Sequence, residues 1–185
     1  MKRVQIPMTD EDVKALHAGD AVLISGIVYT ARDAAHKRMA DTIAKGEALP
    51  IDIDGNAIYY LGPTPPKPGQ VIGSAGPTTS GRMDKQTPML LERGLKAMIG
   101  KGRRSEEVIS AMKKNCAVYF AATGGVAALL AKAVTGSETV AYDDLGTEAI
   151  RKLTLKEFPA IVAIDCYGEN QYKKGPSEFL KQKNK

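Results

Sequence analysis

Nine consecutive residues from Gly73 to Gly81, "GSAGPTTSG", are small or turn-forming, and Arg82 follows them directly. Backbone amides uncovered by small side chains form concave anion sites. Thr78 and Thr79 add hydroxyls there, and Arg82 adds a planar fork that matches a carboxylate bidentately. Two other stretches carry polar residues that a core does not need. "TARDAAHKR", 30–38, places Arg32 in the first turn of an expected helix, where a cation costs about 0.3–1 kcal/mol, with His36 one turn on along the same face. "MIGKGRRS", 98–105, sets Lys101 between two glycines. A weaker stretch, "AATGGVAA", 121–128, opens a helix with Gly124-Gly125 but lacks the spacing of a P-loop or a dinucleotide fingerprint. Each stretch also has a plain structural reading. Arg32 and His36 serve as a surface arginine and a partly buried histidine, with Asp33 paired to Lys37. The glycine-rich run serves as a tight strand-to-helix connection, and Lys101 as a solvated loop lysine.

Taken together, two or three cations with hydroxyls and free amides suit a small dicarboxylate. They do not make a self-sufficient enzyme, because the sequence offers no His-backed serine, no carboxylate pair in a glycine loop and no metal set. The chain has two cysteines, Cys116 and Cys166, and two histidines, His17 and His36. Structural zinc takes about four Cys or His ligands, and an iron–sulfur cluster about four cysteines. Any metal this chain works with must therefore come mostly from elsewhere.

The elements that must position these residues fit one domain. The chain has 185 residues, 43% hydrophobic and 25% charged. No run reaches the roughly 18 apolar residues of a membrane span, and "MKRVQIPMTDEDVK" has no signal-peptide core, so a soluble, cytoplasmic protein is expected. The net charge of +5 invites a nucleic-acid reading, but the segment from Gln171 to Lys185 carries five lysines against one glutamate, a net of +4. With three Phe, seven Tyr and no Trp, no basic-aromatic platform for single strands is visible, and no nucleic-acid partner is expected.

Val4–Ile6 reads as a short strand stopped by Pro7, and "TDEDVKALHAGD" as a helical turn and loop. "AVLISGIVYT", 21–30, reads as a buried β-branched strand. Thr30 is the expected N-cap of a helix to about Ala44, with Asp33 as capping-box partner, and Gly46 ends it. Asp54-Gly55 signals a hairpin, 63–70 a stiff proline-rich connection, and "QVIGS" a strand. Thr87-Pro88 starts a helix expected to carry Leu91, Leu95 and Met98 inward and to stop at Gly100. Ser105 caps the next helix, with Glu106 and Glu107 in its first turn and Lys113 and Lys114 in its last. "CAVYFAAT", "TVAYDD" and "AIVAIDC" read as strands around the helix "VAALLAKAV". The alternation makes the class α/β.

"SGIVYTARDAAHKR", "GSAGPTTSGRMD", "MIGKG", "CAVYFAATGGVAALLAK" and "IDCYGENQY" occur in the order and spacing of the iron–sulfur class of fumarate hydratases. The chain resembles the C-terminal region of the one-chain enzymes, or the separate beta subunit of the two-chain enzymes, in the fumarate/tartrate dehydratase beta family. The resemblance runs from about Ile6 to Tyr172. It implies a catalytic domain over 1–172 and a lysine-rich tail over 173–185. The implied fold is a single swivelling β/β/α domain, a barrel-like mixed sheet flanked by helices. The implied reaction is reversible hydration of fumarate to malate, a step of the tricarboxylic acid cycle. The implied partner is an alpha subunit whose three cysteines hold a four-iron–four-sulfur cluster with one open iron; this chain itself binds no cofactor or metal. Alpha–beta pairs are expected to form a higher oligomer.

Carried over by position, the resemblance makes Arg32, Arg82 and Lys101 ligands of the substrate. Thr78 handles the proton on the carbon beside the leaving hydroxyl, with His36 and Thr79 as supporting residues. "SGRMD" favours fumarase over the related L-tartrate dehydratase, which shares the threonine pair. Dehydration of tartrate or another hydroxy-diacid, hydration of a methylated fumarate, and a stand-alone anion-binding module are the alternatives.

Overall fold

A computed structural model describes residues 1–122, 127–175 and 179. Its elements in chain order are β1 (Lys2–Ile6), α1 (Asp10–Lys14), β2 (Ala21–Thr30), α2 (Asp33–Ala44), β3 (Ala57–Tyr59), α3 (Thr87–Leu91), β4 (Ala97–Gly100), α4 (Glu106–Asn115), β5 (Val118–Ala121), α5 (Ala127–Ala131), β6 (Val134–Ala141) and β7 (Ile150–Ile164). Short 3-10 turns span Ser80–Met83 and Asp143–Glu148.

Strands β2, β3, β4 and β5 run parallel in that order. The long strand β7 then pairs antiparallel with β5 through its C-terminal end and with β2 along most of its length. The ring β2-β3-β4-β5-β7-β2 is therefore closed, a five-stranded barrel with β1 added parallel to β2 and β6 antiparallel to β7. Alternate strand residues divide between two cores, as the two faces of a barrel wall require. Val22, Ile24, Val28, Tyr59, Ile99, Phe120, Leu153, Leu155 and Val162 form one. Ile58, Tyr60, Met98, Tyr119 and Ile164 face outward onto Met39 of α2, Leu90 and Leu91 of α3, and Val108 and Met112 of α4. Each such buried side chain contributes about 1.5–3 kcal/mol of transfer free energy. The expected mixed, barrel-like sheet with flanking helices is what forms. Among the described residues no helix is long and apolar enough to cross a membrane.

β2 matches its expected bounds, and Ser105 caps α4 by accepting the Val108 N–H at 3.3 Å. Four local expectations fail. Thr30 does not cap α2: its hydroxyl accepts the Arg151 N–H (3.0 Å), tying β2 to β7, and Arg32 takes the N-cap position. Asp54-Gly55 makes no hairpin, because β3 after it pairs parallel with both neighbours. "QVIGS" is an irregular, partly buried connection without ladder bonds. The helix begun at Thr87 stops at Leu91, and Ala97–Gly100 is a central strand. Gly94 makes that break. It sits at φ +93°, and a Cβ there would overlap the Asp54 carboxylate. Gly124-Gly125 and the lysines from Lys181 onward lie outside the described residues.

Candidate active site

The parallel strands end together at one rim of the barrel, at Thr30, Tyr59, Gly100 and Ala121. In parallel α/β sheets this carboxyl end is where ligands bind. Arg32 lies two residues past β2, and Lys101 directly past β4. Thr78, Thr79 and Arg82 come from the long connection after β3.

Backbone hydrogen bonds set the register of these segments. The Thr78 N–H donates to the Tyr60 carbonyl (2.7 Å), the Ser80 N–H to the Lys101 carbonyl (2.9 Å), and the Lys101 N–H back to the Thr78 carbonyl (3.4 Å). Thr79 and Lys101 thus form an isolated parallel bridge that sets Lys101 beside the threonine pair. The start of the connection is tied down by the Tyr59 hydroxyl, which donates to the Ala75 carbonyl. Lys101 is exposed, and its ammonium has no partner among the described residues.

Arg32 caps α2 through its backbone alone, with no side-chain cap of its own. Glu148 supplies the cap instead, one carboxylate oxygen accepting the Ala34 N–H (2.8 Å) while the other lies 3.6 Å from Arg32 Nη2. The guanidinium lies against Gly62, where a Cβ would overlap Nη1 and come within 2.9 Å of Cδ. Asp33 stands between the two arginines: its Oδ1 accepts from Arg82 Nε at 2.9 Å, and its Oδ2 is 4.0 Å from Arg32 Nε. The expected Asp33–Lys37 pair is therefore replaced by Asp33–Arg82, and Lys37 is exposed. The Arg32 side chain is 21% exposed and that of Arg82 51%. Arg32 Nε and Asp33 Oδ2 are buried without a hydrogen-bond partner. An unmatched buried donor beside a second guanidinium suits an incoming carboxylate.

His36 is more deeply buried than expected, at 1% exposure. Its Nδ1 lies 2.9 Å from the Arg32 carbonyl, an acceptor, so the neutral ring carries its proton on Nδ1. Nε2 is buried without a partner, and the ring meets Tyr60 edge-on at 5.4 Å. Burial, reinforced by the Arg104 charge and only partly opposed by the bond to Arg32, lowers the imidazole pKa to about 4. The unfolded chain takes up this proton near its ordinary value of about 6.5. Between those two values the unfolded state binds more protons, so stability falls as pH drops from 6.5 to 4. The full loss is about 3 kcal/mol at pH 4 and below. Urea unfolding from pH 7 to 4 is expected to show this slope in the wild type and a shallower one in His36→Gln. Equal slopes would place His36 in a solvated environment.

Arg104 carries no signal in the sequence beyond its place in the stretch 98–105. Its side chain is fully buried (0% exposed) beneath the site residues. Nε donates to Asp84 (2.6 Å), Nη1 to the Tyr60 hydroxyl (3.2 Å) and Nη2 to Thr87 (2.8 Å). The guanidinium carbon lies 5.2 Å from the ring centroids of both Tyr60 and Tyr119.

Among the described residues no group of three or more His, Cys, Asp or Glu side chains is placed to hold a metal ion. The fold brings the two cysteines together: burial, and Cys116 beside it, push the Cys166 thiol up to about 11. Two cysteines fall short of the about four thiolates that an iron–sulfur cluster takes.

Residues 1–175 match the family model described as the fumarase C-terminus. A Methanocaldococcus jannaschii protein provisionally named L(+)-tartrate dehydratase subunit beta is 39% identical over 171 residues, covering 89% of this chain and 88% of that one. The aerobic class I fumarate hydratase of Escherichia coli is 39% identical over 149 residues, covering 80% of this chain but 27% of the enzyme. Fumarate hydratase 2 of Leishmania major is 37% identical over 158 residues, with 84% and 28% covered. The chain thus spans about a quarter of the fumarate hydratases it matches and nearly all of the separate subunit. On the family match over almost its whole length, the chain belongs to the fumarase C-terminus family.

Proposed function

We propose that this chain is the beta subunit of a two-subunit hydro-lyase that reversibly hydrates fumarate to malate. The observation that carries the reading is the placement of Arg32, Thr78, Arg82 and Lys101 on neighbouring segments at the carboxyl rim, with Arg32 Nε buried and without a hydrogen-bond partner. In this reading residues 1–172 are the catalytic domain and 173–185 a tail. The chain works in the cytoplasm, in a higher oligomer of alpha–beta pairs.

The two guanidiniums and the Lys101 ammonium bind the carboxylates of a four-carbon diacid. Arg32 is held from behind by Glu148, and Arg82 by Asp33. Preset donors of this kind fix the carbon skeleton before the proton moves. In the dehydration direction Thr78 takes the proton from the carbon next to the one that loses hydroxide; in hydration it returns that proton as hydroxide adds. A threonine hydroxyl is a poor base by itself. The cations around Thr78 favour its alkoxide, or a water relays the proton. A four-iron–four-sulfur cluster on the alpha partner would supply Lewis-acid activation of the hydroxyl and carboxylate.

A second reading, L-tartrate dehydratase, is favoured by the near full-length match to a chain named as that enzyme's beta subunit. The same carboxylate ligands serve a hydroxy-diacid with one more hydroxyl. Anaerobic turnover of fumarate, malate and tartrate, by this chain alone and mixed with the iron–sulfur alpha subunit from the same genome, tests both. Malate–fumarate interconversion only in the mixture is expected. A loaded, assembled complex that turns over tartrate alone would select the second reading, and activity of this chain alone would overturn the two-subunit model.

A further inference from the structure

We infer that Arg104, with its partly buried partner Asp84, is the positioning residue that holds the separate site segments in mutual register. Every arm of Arg104 ends on a group tied to a site residue. Asp84, two residues past Arg82, accepts from Arg104 Nε and, through its other oxygen, from the Ser105 N–H (2.6 Å). One carboxylate thus joins the Arg82 segment to the segment following Lys101. Tyr60, which accepts from Nη1, holds the Thr78 amide with its carbonyl and packs its ring on His36, which in turn bonds the Arg32 carbonyl. Thr87, which accepts from Nη2, starts α3 and donates to the Met83 carbonyl (2.8 Å), closing the turn that carries Arg82. Tyr119, under the other face, hydrogen-bonds Ser80 (Oγ–OH 2.8 Å) and donates to the Gly102 carbonyl (3.0 Å).

Hydrophobic packing alone could fill this volume, since a buried ion pair is on average no more stabilising than apolar side chains of equal size. What the pair adds is direction. A guanidinium with three fixed donors admits one arrangement of Asp84, Tyr60 and Thr87, and so one spacing between Thr78, Arg82 and Lys101. A displacement of about 1 Å at such a site costs on the order of 10²-fold in rate.

The kinetic arm of the test rests on the function proposed above; the exchange arm does not. In the isolated chain, Arg104→Lys keeps the charge and loses the fork. Amide exchange of Ser80, Lys101 and Gly102 is expected to speed up at least about tenfold, while the Val162 amide in β7 stays within about twofold. In the assembled enzyme, Arg104→Lys and Asp84→Asn are expected both to lower kcat and to raise KM, with kcat/KM down about 10²-fold. Val13→Ala, a buried lesion in α1 away from the carboxyl rim, lowers the melting temperature without moving either constant. Thr87→Val, which removes the hydroxyl that bonds Arg104 and the Met83 carbonyl but no charge, decides the matter if the charge variants fail to fold. Unchanged exchange at Ser80, Lys101 and Gly102, or kinetic losses no larger than those of Val13→Ala, would overturn the inference. A wild-type complex inactive on every diacid tested would sink the proposed function, and the exchange result would still stand or fall separately.

Discussion

Replacing Thr78 with alanine in the assembled enzyme is expected to lower kcat by about 10²–10⁴-fold and to leave KM within a few-fold, the size and signature of a lost proton-transfer group. The loop should survive the change. Thr78 is anchored through its backbone, by its N–H to Tyr60 and its carbonyl to Lys101, and its side chain is half-buried at the rim rather than packed in a core. Thr78→Ser keeps a hydroxyl at the same place and should recover most of the activity. Exchange of the malate C–H with solvent deuterium isolates the step: it should be lost with Thr78→Ala and kept with Thr78→Ser. Turnover of the alanine variant within a few-fold of wild type would remove Thr78 from the proton step.

Arg32→Met should have the opposite kinetic signature. Loss of a charge-assisted carboxylate contact to a largely buried guanidinium costs about 2–4 kcal/mol, or roughly 30- to 1,000-fold in kcat/KM, and most of it should fall on KM. Glu148 keeps its bond to the Ala34 amide, so the helix cap survives and the melting temperature should move little. Arg32→Lys should rescue poorly, since an ammonium cannot reproduce the fork that lies between Glu148, Asp33 and Gly62. Gly62→Ala tests the same contact without touching charge, because the added methyl occupies the space of Arg32 Nη1 and must displace it. The same direction of KM change is expected, at smaller size. Wild-type KM in both Arg32→Met and Gly62→Ala would place the substrate elsewhere.

The candidate site residues show a clearer signal in the sequence than the elements that carry them. Arg32, Thr78, Thr79, Arg82 and Lys101 stood out because small residues surround polar ones, a local property. The fold brings these five together at one rim. The segment from Leu91 to Gly100 misled because a short strand buried on both faces lacks alternation, and Leu91, Leu95 and Met98 also satisfy helical spacing. What separates the two readings lies elsewhere in the chain, in the contact of Gly94 with Asp54 and the pairing of Ala97–Gly100 with β3 and β5. Thr30 had every local feature of a cap, yet its hydroxyl went to Arg151 of β7. Arg104 was invisible for the same reason. Its burial depends on Asp84, Tyr60 and Thr87 converging from other elements, and no spacing within "KGRR" records that.

The closure of the barrel by β7 also sets the order in which the molecule can be made. Until Ile150–Ile164 is available, β2 and β5 each present an unpaired edge, and the apolar wall between them has no lid. A nascent chain leaving the ribosome must carry this open sheet from the emergence of β5 until β7 follows, and only then can it close the ring. The pairing of β7 with β2 joins residues far apart in the chain, which makes closure slow and the open form prone to self-association. Fragments ending before Ile150 should therefore accumulate as aggregates. The C-terminal strand supplied as a separate peptide should compete for those edges, as a missing stave does in a cask.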